Sequence, residues 1–370
     1  MPVLPAILPL LIAQNGYSYL AAGLLVTAYN VTSSFTQPVI GWLSDTRGLT
    51  VSVSASLFIS AVFVSLMGIA ADYRLIMAFA ILAALGHACF HPTALSIVSR
   101  ICTRENRGRI TSYFVVGGNL GYAIGPVLAG GLVWWLGLPG LLLLILPAIA
   151  MVFVLRILLP GGIAAAREAH AVPEETPADV PSKRPFAILM TASVLRAWAV
   201  FAAITYIPMY LVRTQGYDLV MASLAMTLML LAGVAGQVAG GRISDRIGRK
   251  EFMVFALLGA IPFFCLFMAS AGLVAVIALL CFGFCLWATF AVAVAIGHEL
   301  LPQNVGLASG MMLGLAIGFG GLGVAVNGVI ADRYSLGAAL LTIPLVIGAA
   351  VLLMALLPYP WKWFRRHAVT

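Results

Sequence analysis

Charged side chains are scarce in this sequence. Asp, Glu, Lys and Arg together make up 9% of its 370 residues, whereas hydrophobic residues make up 62%. A soluble domain ordinarily carries about 25% charged residues, because its surface must face water. The shortage therefore argues against a soluble domain, and it predicts that most side chains face lipid or neighbouring helices.

Motifs for metal, nucleotide or nucleic-acid binding are also lacking. The five cysteines include no C-x-x-C pair, and Cys281 and Cys285 share a helix face without the further ligands that a metal needs. The glycine-rich stretches follow no predicted strand, as a nucleotide-binding loop would, and no basic run carries interleaved aromatic residues. The H-E-x-x-H motif of a membrane metalloenzyme is missing too. We therefore expect no metal, no cofactor, no nucleic-acid partner and no enzyme activity.

Long apolar runs recur along the whole chain. Eleven of them are long enough to cross a bilayer, which takes about 20 apolar residues. Residues 1–13 are apolar too, but at about 1.5 Å per residue they cross only half of a bilayer, and we interpret them as the end of a truncated first span. The eleven runs lie at 17–43, 50–71, 74–99, 110–135, 139–159, 186–212, 218–241, 252–270, 273–298, 306–331 and 337–357.

One long polar segment, residues 160–185, interrupts the apolar runs. It is rich in proline, alanine and charge, which predicts a flexible linker between helical bundles at 1–159 and 186–359, with a tail at 360–370. If the linker is cytoplasmic, most Lys and Arg residues fall in cytoplasmic loops, as the positive-inside rule requires. This predicts a multi-pass inner-membrane protein whose two ends are cytoplasmic in the full-length form.

The two bundles carry an internal repeat. When the chain is shifted by 200 residues, the motif Gly-x-x-Ser-Asp at Gly41–Asp45 coincides with the same motif at Gly241–Asp245. Thr27 and Thr227 coincide as well, as do Gln37 and Gln237. Polar residues that recur at the same end of corresponding spans indicate two homologous halves of about six spans each.

The motif in the second half resembles a known family signature. The segment Gly241–Lys250 reads GRISDRIGRK and is similar to the G-x-x-x-D-R-x-G-R-K signature of the major facilitator superfamily. The copy at Gly41–Leu49, GWLSDTRGL, keeps the glycines and the aspartate but lacks two of the usual basic positions. Six further stretches resemble the fosmidomycin-resistance proteins of that family: Phe90–Pro92, Val116–Gly121, Gly125–Pro126, His298–Pro302, Gly318–Gly323 and Ile330–Asp332.

This resemblance implies an all-α membrane protein with the major facilitator fold, two pseudo-symmetric six-helix bundles of which the first helix is truncated. It implies a secondary transporter that acts as a monomer in the lipid bilayer and opens alternately to the two sides. The implied activity is the export of a small amphipathic or anionic compound, such as an antibiotic, in exchange for protons. Two alternatives stay open: an importer of an organic anion or sugar on the same fold, and a truncated relative that does not transport.

Spans 1, 4, 7 and 10 line the central cavity in this family, so polar residues on them are candidates for the substrate and proton pathway. His87 and His91 are four residues apart in span 4 and share one helix face. Because histidine changes charge near neutral pH, the pair could relay protons. The alternative is that each imidazole packs against a neighbouring helix.

Three further residues join the candidate pathway. Arg196 lies inside span 7, where its permanent charge could attract an anionic substrate group or pair with a carboxylate. Glu299, at the end of span 10, could be a proton site or part of a network with loop arginines. Asn119 could touch substrate, but Asn119, Gln237 and Asn327 could equally form hydrogen bonds between helices.

The repeated motifs are interpreted as gating loops rather than as a substrate site. We expect Asp45 and Asp245 to accept hydrogen bonds from the N-terminus of an adjacent helix, and Arg246 and Arg249 to clamp nearby carboxylates or helix C-termini. Small residues in spans 5 and 11 should allow close helix approach. The gating residues are Gly41, Asp45, Gly241, Asp245, Arg246, Gly248, Arg249 and Lys250, and the helix-packing residues are Gly121, Gly125, Pro126 and Gly318.

Overall fold

The described part of the computed structural model consists of α-helices joined by short turns. It comprises residues 2–47, 51–101, 107–158, 183–302, 308 and 310–361. Twelve α-helices lie within these ranges, and one π-helical turn, Met311–Leu315, leads into the eleventh. The helices are α1 (Val3–Asn15), α2 (Tyr19–Arg47), α3 (Val53–Leu66), α4 (Tyr73–Ile101), α5 (Arg107–Leu136), α6 (Ile145–Leu158), α7 (Lys183–Arg213), α8 (Leu219–Ile247), α9 (Arg249–Ala269), α10 (Gly272–Leu300), α11 (Ala316–Arg333) and α12 (Leu336–Leu356).

Nine helical segments of the described chain are long and apolar enough to cross a membrane. Their surfaces carry many exposed large hydrophobic side chains, among them Phe153, Leu273 and Leu345. In a protein surrounded by water such an apolar surface would be a liability, whereas in a bilayer it faces lipid. The prediction of an all-α membrane protein is therefore confirmed.

Helices of the two halves pack against each other in pairs that follow the repeat. Helix α2 packs against α11, and α8, the counterpart of α2, packs against α5. Helix α1 packs against α5 of its own half and α7 of the other. Within the second half α7 contacts α11 and α12, and α10 contacts α8 and α9. The two halves are thus joined along two symmetry-related seams.

The two ends of the bundle are named here by the predicted linker. At the linker face α6 ends and α7 begins, and at the opposite face α1 ends and α2 begins. Most of the linker, residues 159–182, lies outside the described residues, as does the tail beyond Trp361. Because α7 begins at Lys183, the last three residues assigned to the linker belong to a helix instead.

The repeated motif lies inside helices, which corrects its assignment to loops. Helix α2 continues to Arg47 and α8 to Ile247, several residues beyond the apolar runs that predicted them. Polar residues can extend a helix past the hydrocarbon region, and Ser244 Oγ supports the last turn of α8 by donating to the Gly241 carbonyl (2.8 Å). Gly248, with φ of 112°, then ends α8 and lets α9 begin at the next residue.

Glycine makes the close approach of α11 to α2 possible. A Cβ on Gly318 would lie 2.9 Å from Phe35 Cε2 and 3.0 Å from Ser34 Cβ on α2, closer than a side chain could be accommodated without a shift. The predicted packing contact at Gly318 is thus present. It joins the two halves of the molecule.

The corresponding prediction for Gly121 is wrong in this conformation. No described atom lies within 4 Å of the position where its Cβ would be, because the residue is on an exposed face of α5. Gly125 makes only an ordinary contact, 3.8 Å from Pro2 Cβ, and Pro126 is buried within α5. Close packing in the first half therefore lies elsewhere.

Candidate functional site

A buried arginine stands at middle depth in the second half. Arg196 of α7 is 5% exposed, and its guanidinium carbon lies 5.1 Å from the ring centroid of Phe290 on α10. Its Nε has no hydrogen-bond partner, and both ion pairs found among the described residues involve Arg249 instead. A charge inside the membrane is costly unless it is paired, so this guanidinium is suited to a ligand that supplies the negative charge.

The neighbours of Arg196 on α7 fix the direction in which it points. Trp198 Nε1 donates to Asn327 Oδ1 on α11 (2.7 Å), and a Cβ on Gly320 of α11 would lie 2.8 Å from the Trp198 backbone nitrogen. Residues two apart on an α-helix point in nearly opposite directions. With Trp198 held against α11, Arg196 therefore faces α10.

Asn327 connects three helices at this level. Besides accepting from Trp198, its Nδ2 donates to the Ala339 carbonyl (2.7 Å) and to Thr342 Oγ1 (2.8 Å) on α12. The residue is fully buried. The interpretation that Asn327 forms hydrogen bonds between helices is confirmed, and the network holds α7, α11 and α12 together behind Arg196.

His87 and His91 share a face of α4, as their spacing predicts. Their ring centroids are 5.1 Å apart in an edge-on arrangement, and the His87 ring lies 6.0 Å from the ring of Tyr29 on α2. Phe90 lies beside His91 and stacks on Phe114 of α5. Both imidazoles are half-buried and contact aromatic rings, and a role in proton transfer stays a prediction.

Asn119 contacts the other half of the molecule. Its Nδ2 donates to Gln237 Oε1 on α8 over 2.7 Å. The interpretation that these amides form hydrogen bonds between helices is confirmed, whereas their pairing with each other was not predicted. The bond crosses the α5–α8 seam, so a change in the relative position of the halves would break it.

Glu299 belongs to a polar network at the linker face. Arg249 donates to Glu299 Oε1 from the start of α9, and the Tyr359 hydroxyl, beyond the end of α12, donates to Glu299 Oε2. Burial raises the pKa of Tyr359 above its usual value, and the hydrogen bond to Glu299 raises this pKa further. Tyr359 therefore remains a donor at neutral pH, and the network with the arginine is present as predicted.

Among the described residues, Asp245 accepts no hydrogen bond from the helix N-terminus expected as its partner. Its carboxylate, at the exposed end of α8, lies 3.7 Å from Arg249 Nη2, one turn further along the chain. Because α8 continues through Asp245, the side chain points outward from the helix. Arg246 is exposed beside it. The side chains of the first-half motif at Ser44, Asp45 and Thr46 lie outside the described residues.

Lys250 clamps the end of α12, although it is almost fully buried at 3% exposure. Its Nζ donates to the Leu357 carbonyl (2.7 Å) and lies 4.2 Å from the ring centroid of Trp361. A lysine at a helix C-terminus satisfies a free carbonyl and complements the helix dipole. The basic residues of the motif thus fasten α8, α9, α10 and α12 to one another within the second half.

Asp332 belongs to a stretch that carries the family resemblance, but no role was predicted for it from the sequence. At the opposite face, its carboxylate accepts from the backbone nitrogens of Tyr19 (2.7 Å) and Leu20 (2.9 Å) at the start of α2. Deeper along the same seam, Thr27 Oγ1 donates to the Gly321 carbonyl (3.0 Å). One sequence signal could have predicted this contact. Asp332 is an acidic residue at the predicted end of span 11, on the same side of the membrane as the start of span 2.

The repeated threonines occupy equivalent positions on the two seams. Thr27 of α2 bonds to α11, and Thr227 Oγ1 of α8 accepts from the Val127 nitrogen of α5 (3.1 Å).

Within the described ranges, no group of three or more His, Cys, Asp or Glu side chains is placed to hold a metal ion.

Comparisons with known proteins agree with this arrangement. The Major Facilitator Superfamily model matches residues 2–322. The fosmidomycin resistance protein of Escherichia coli (strain K12) is 30% identical over 337 residues, which cover 90% of this chain and 82% of the relative. The MFS-type transporter YfnC of Bacillus subtilis (strain 168) is 26% identical over 351 residues, which cover 92% of this chain and 85% of the relative.

Among solved structures, the nucleoside transporter NupG superimposes with a TM-score of 0.76 at 14% sequence identity. The match covers 97% of this chain and 96% of that chain, and it shows a shared fold. The family model spans most of the sequence, and the described helices form two halves with symmetry-related seams. The chain therefore belongs to the Major Facilitator Superfamily of membrane transporters.

Proposed function

We propose that this protein is a secondary active transporter that exports a small amphipathic or anionic compound, such as an antibiotic, in exchange for protons. The observation that carries the proposal is the environment of Arg196. A buried guanidinium with a free Nε and no carboxylate within ion-pair distance among the described residues is best stabilised by an anionic group of the cargo. The relative named for fosmidomycin resistance supports an antibiotic as that cargo.

The face of Phe290 contributes to the same site. A guanidinium over an aromatic ring keeps its donors in one plane, directed away from the ring. A carboxylate, sulfonate or phosphonate could accept two of these hydrogen bonds, while an apolar part of the cargo contacts the aromatic side chain. This arrangement favours a compound that is both anionic and partly apolar.

Proton coupling would use the histidines of α4. Protonation of His91 or His87 adds charge inside the bundle, and it changes the relative stability of the two access states if the imidazole is solvated differently in each. A carrier gains coupling only from such a difference. The His87 ring lies beside Tyr29 of α2, and Phe90, next to His91, stacks on Phe114 of α5. A change in charge at the pair can therefore act on the two first-half helices that form the seams.

The linker-face motif would then act as a gate. The contacts of Arg249 and Lys250 hold the second half together as one body, which can move against the first half without unfolding. Asp45, in the first-half copy, is proposed to contribute equivalent contacts there. In this proposal the motif governs the rate of switching between states, and Arg196 governs affinity for the cargo.

Direct binding measurements on Arg196 variants test the proposal. In detergent, Arg196→Gln should weaken the binding of an anionic compound by at least about 30-fold, the effect typical of removing one partner of a buried charge pair. Arg196→Lys keeps the charge but loses the planar donor fork and should fall in between. Arg213→Gln, on the exposed end of the same helix, is the matched control. Unchanged affinity in Arg196→Gln would refute the assignment.

A further inference from the structure

The junction of α2 with α11 at the opposite face is held by a charge. Asp332, near the end of α11 in the second half, accepts the first two backbone N–H groups of α2 in the first half, over 2.7 and 2.9 Å. The first N–H groups of a helix have no partner within the helix, and the positive end of the helix dipole favours a carboxylate there. The contact is therefore a pair of charge-assisted hydrogen bonds between the halves.

Helix α2 does not need Asp332 as its own cap. Ser18 Oγ already accepts from the Ala21 nitrogen (3.0 Å), which is the usual bond of an N-cap residue. In the repeat, Ser18 corresponds to Asp218, which caps α8 in the same way through the Met221 nitrogen (2.8 Å). Each of these two helices thus has a cap from its own half.

Among the described residues, this contact is found at one of the two seams and not at the other. The shift of 200 residues that relates the halves also pairs Gly118 with Gly318 and Gly121 with Gly321, so it applies to α5 and α11. The position of α5 that corresponds to Asp332 is Leu132, which offers no acceptor in its side chain. The carboxylate is thus an addition to one seam, and the pseudo-symmetry of the fold does not require it.

Neighbouring contacts show that this end of the seam is closed. A Cβ on Gly328 of α11 would lie 2.7 Å from the Leu20 Cα, so the two backbones touch. The Tyr73 hydroxyl of α4 donates to the Ala21 carbonyl (2.9 Å) and holds the start of α2 within its own half. If α2 moves away from α11 here, the two bonds to Asp332 must break.

We propose that Asp332 is a latch between the halves that stabilises the state closed at the opposite face. Each opening toward that face breaks its two bonds, and the start of α2 then keeps only Ser18 as a cap. The latch sets the ratio of the two access states and thereby the rate at which the carrier turns its site outward. This inference rests on alternating access, which is part of the proposed function.

Distance measurements between spin labels test the latch without substrate. Labels attached through Arg74→Cys and Thr214→Cys, two exposed positions of different halves at the opposite face, report its opening in a variant that lacks the native cysteines. Asp332→Ala should raise the ratio of long to short distances by about tenfold or more, as expected for the loss of hydrogen bonds to a charged group. Asp332→Asn, which keeps an acceptor without the charge, should give a smaller rise.

Asp218→Ala provides the matched control. It removes the carboxylate that caps α8, the counterpart of α2, but this carboxylate contacts only its own half. It should leave the distance distribution unchanged. The inference is overturned if both Asp332 variants keep the wild-type distribution, or if Asp218→Ala opens the opposite face as much as Asp332→Ala. Absence of transport by the wild-type protein would count against the proposed function, and the distance ratio would still decide on the latch.

Discussion

Replacing Asn327 by leucine removes the hydrogen bonds that hold α7, α11 and α12 together behind Arg196. Three bonds are lost: those to Trp198, Ala339 and Thr342. Hydrogen bonds between membrane helices contribute about 0.6 kcal/mol each on average, so Asn327→Leu should lower the free energy of unfolding by about 2 kcal/mol. Leucine has a similar volume, and cavity formation should therefore add little.

Equilibrium unfolding in mixed detergent micelles measures this loss. Asn15→Leu is the matched control, because Asn15 is exposed and donates only to the Leu11 carbonyl of its own helix (3.2 Å). Its effect should stay within about 0.5 kcal/mol, as for most surface substitutions. Because Trp198 orients α7, Asn327→Leu should also weaken the binding of an anionic ligand at Arg196. A loss of stability no larger than that of Asn15→Leu would refute the account of this network.

Two further predictions concern the α2–α11 seam and the histidine pair. Gly318→Ala should reduce transport by purified protein in proteoliposomes several-fold or more, because its Cβ would press on Phe35 and Ser34. Gly121→Ala is the control and should transport normally, because no described atom lies near its Cβ position. Equal activity of the two variants would contradict the close-packed seam. His91→Ala should abolish transport driven by a pH gradient but leave the exchange of cargo across the membrane intact. If the variant shows normal pH-driven flux, His91 has no role in proton coupling.

The helices were predictable because lipid imposes a simple requirement. Every apolar run must be long enough to cross the bilayer and must satisfy its own backbone hydrogen bonds, so the helical type of the spans follows from composition. Their number follows less closely, because nine segments of the described chain are long and apolar enough to cross, whereas eleven were predicted. Helix ends follow less well, because polar residues continue a helix into the interface without an apolar signal. Helix α8 therefore reaches Ile247, beyond its predicted end at residue 241.

The contacts between the halves could be predicted only in part. Gly121 and Gly321 occupy corresponding positions, yet a Cβ on Gly321 would lie 2.7 Å from Asn30 Cβ and one on Gly121 would meet no described atom within 4 Å. The difference depends on how the two halves are positioned relative to each other, which local sequence does not encode. The contact of Asp332 with α2 was missed for the same reason, since its partners lie 312 and 313 residues away.

Arg196 could be singled out from the sequence because an ionisable residue inside an apolar run is rare and costly. Its ring partner could not, since Phe290 stands out in the sequence only as the repeat counterpart of Phe90, and that pattern does not indicate a contact with Arg196. The network of Arg249 and Glu299 was predictable as a pairing of opposite charges at one face. The participation of Tyr359 depends on how the chain turns beyond α12.

Proton-coupled export is tested most directly with purified protein in proteoliposomes that carry an imposed pH gradient, with a panel of anionic antibiotics that includes fosmidomycin. The account predicts that at least one compound moves in the direction opposite to the protons, accumulates against its own gradient and stops moving when a protonophore removes the pH gradient. The account would be contradicted if every compound only equilibrated across the membrane at a rate that does not depend on the pH gradient.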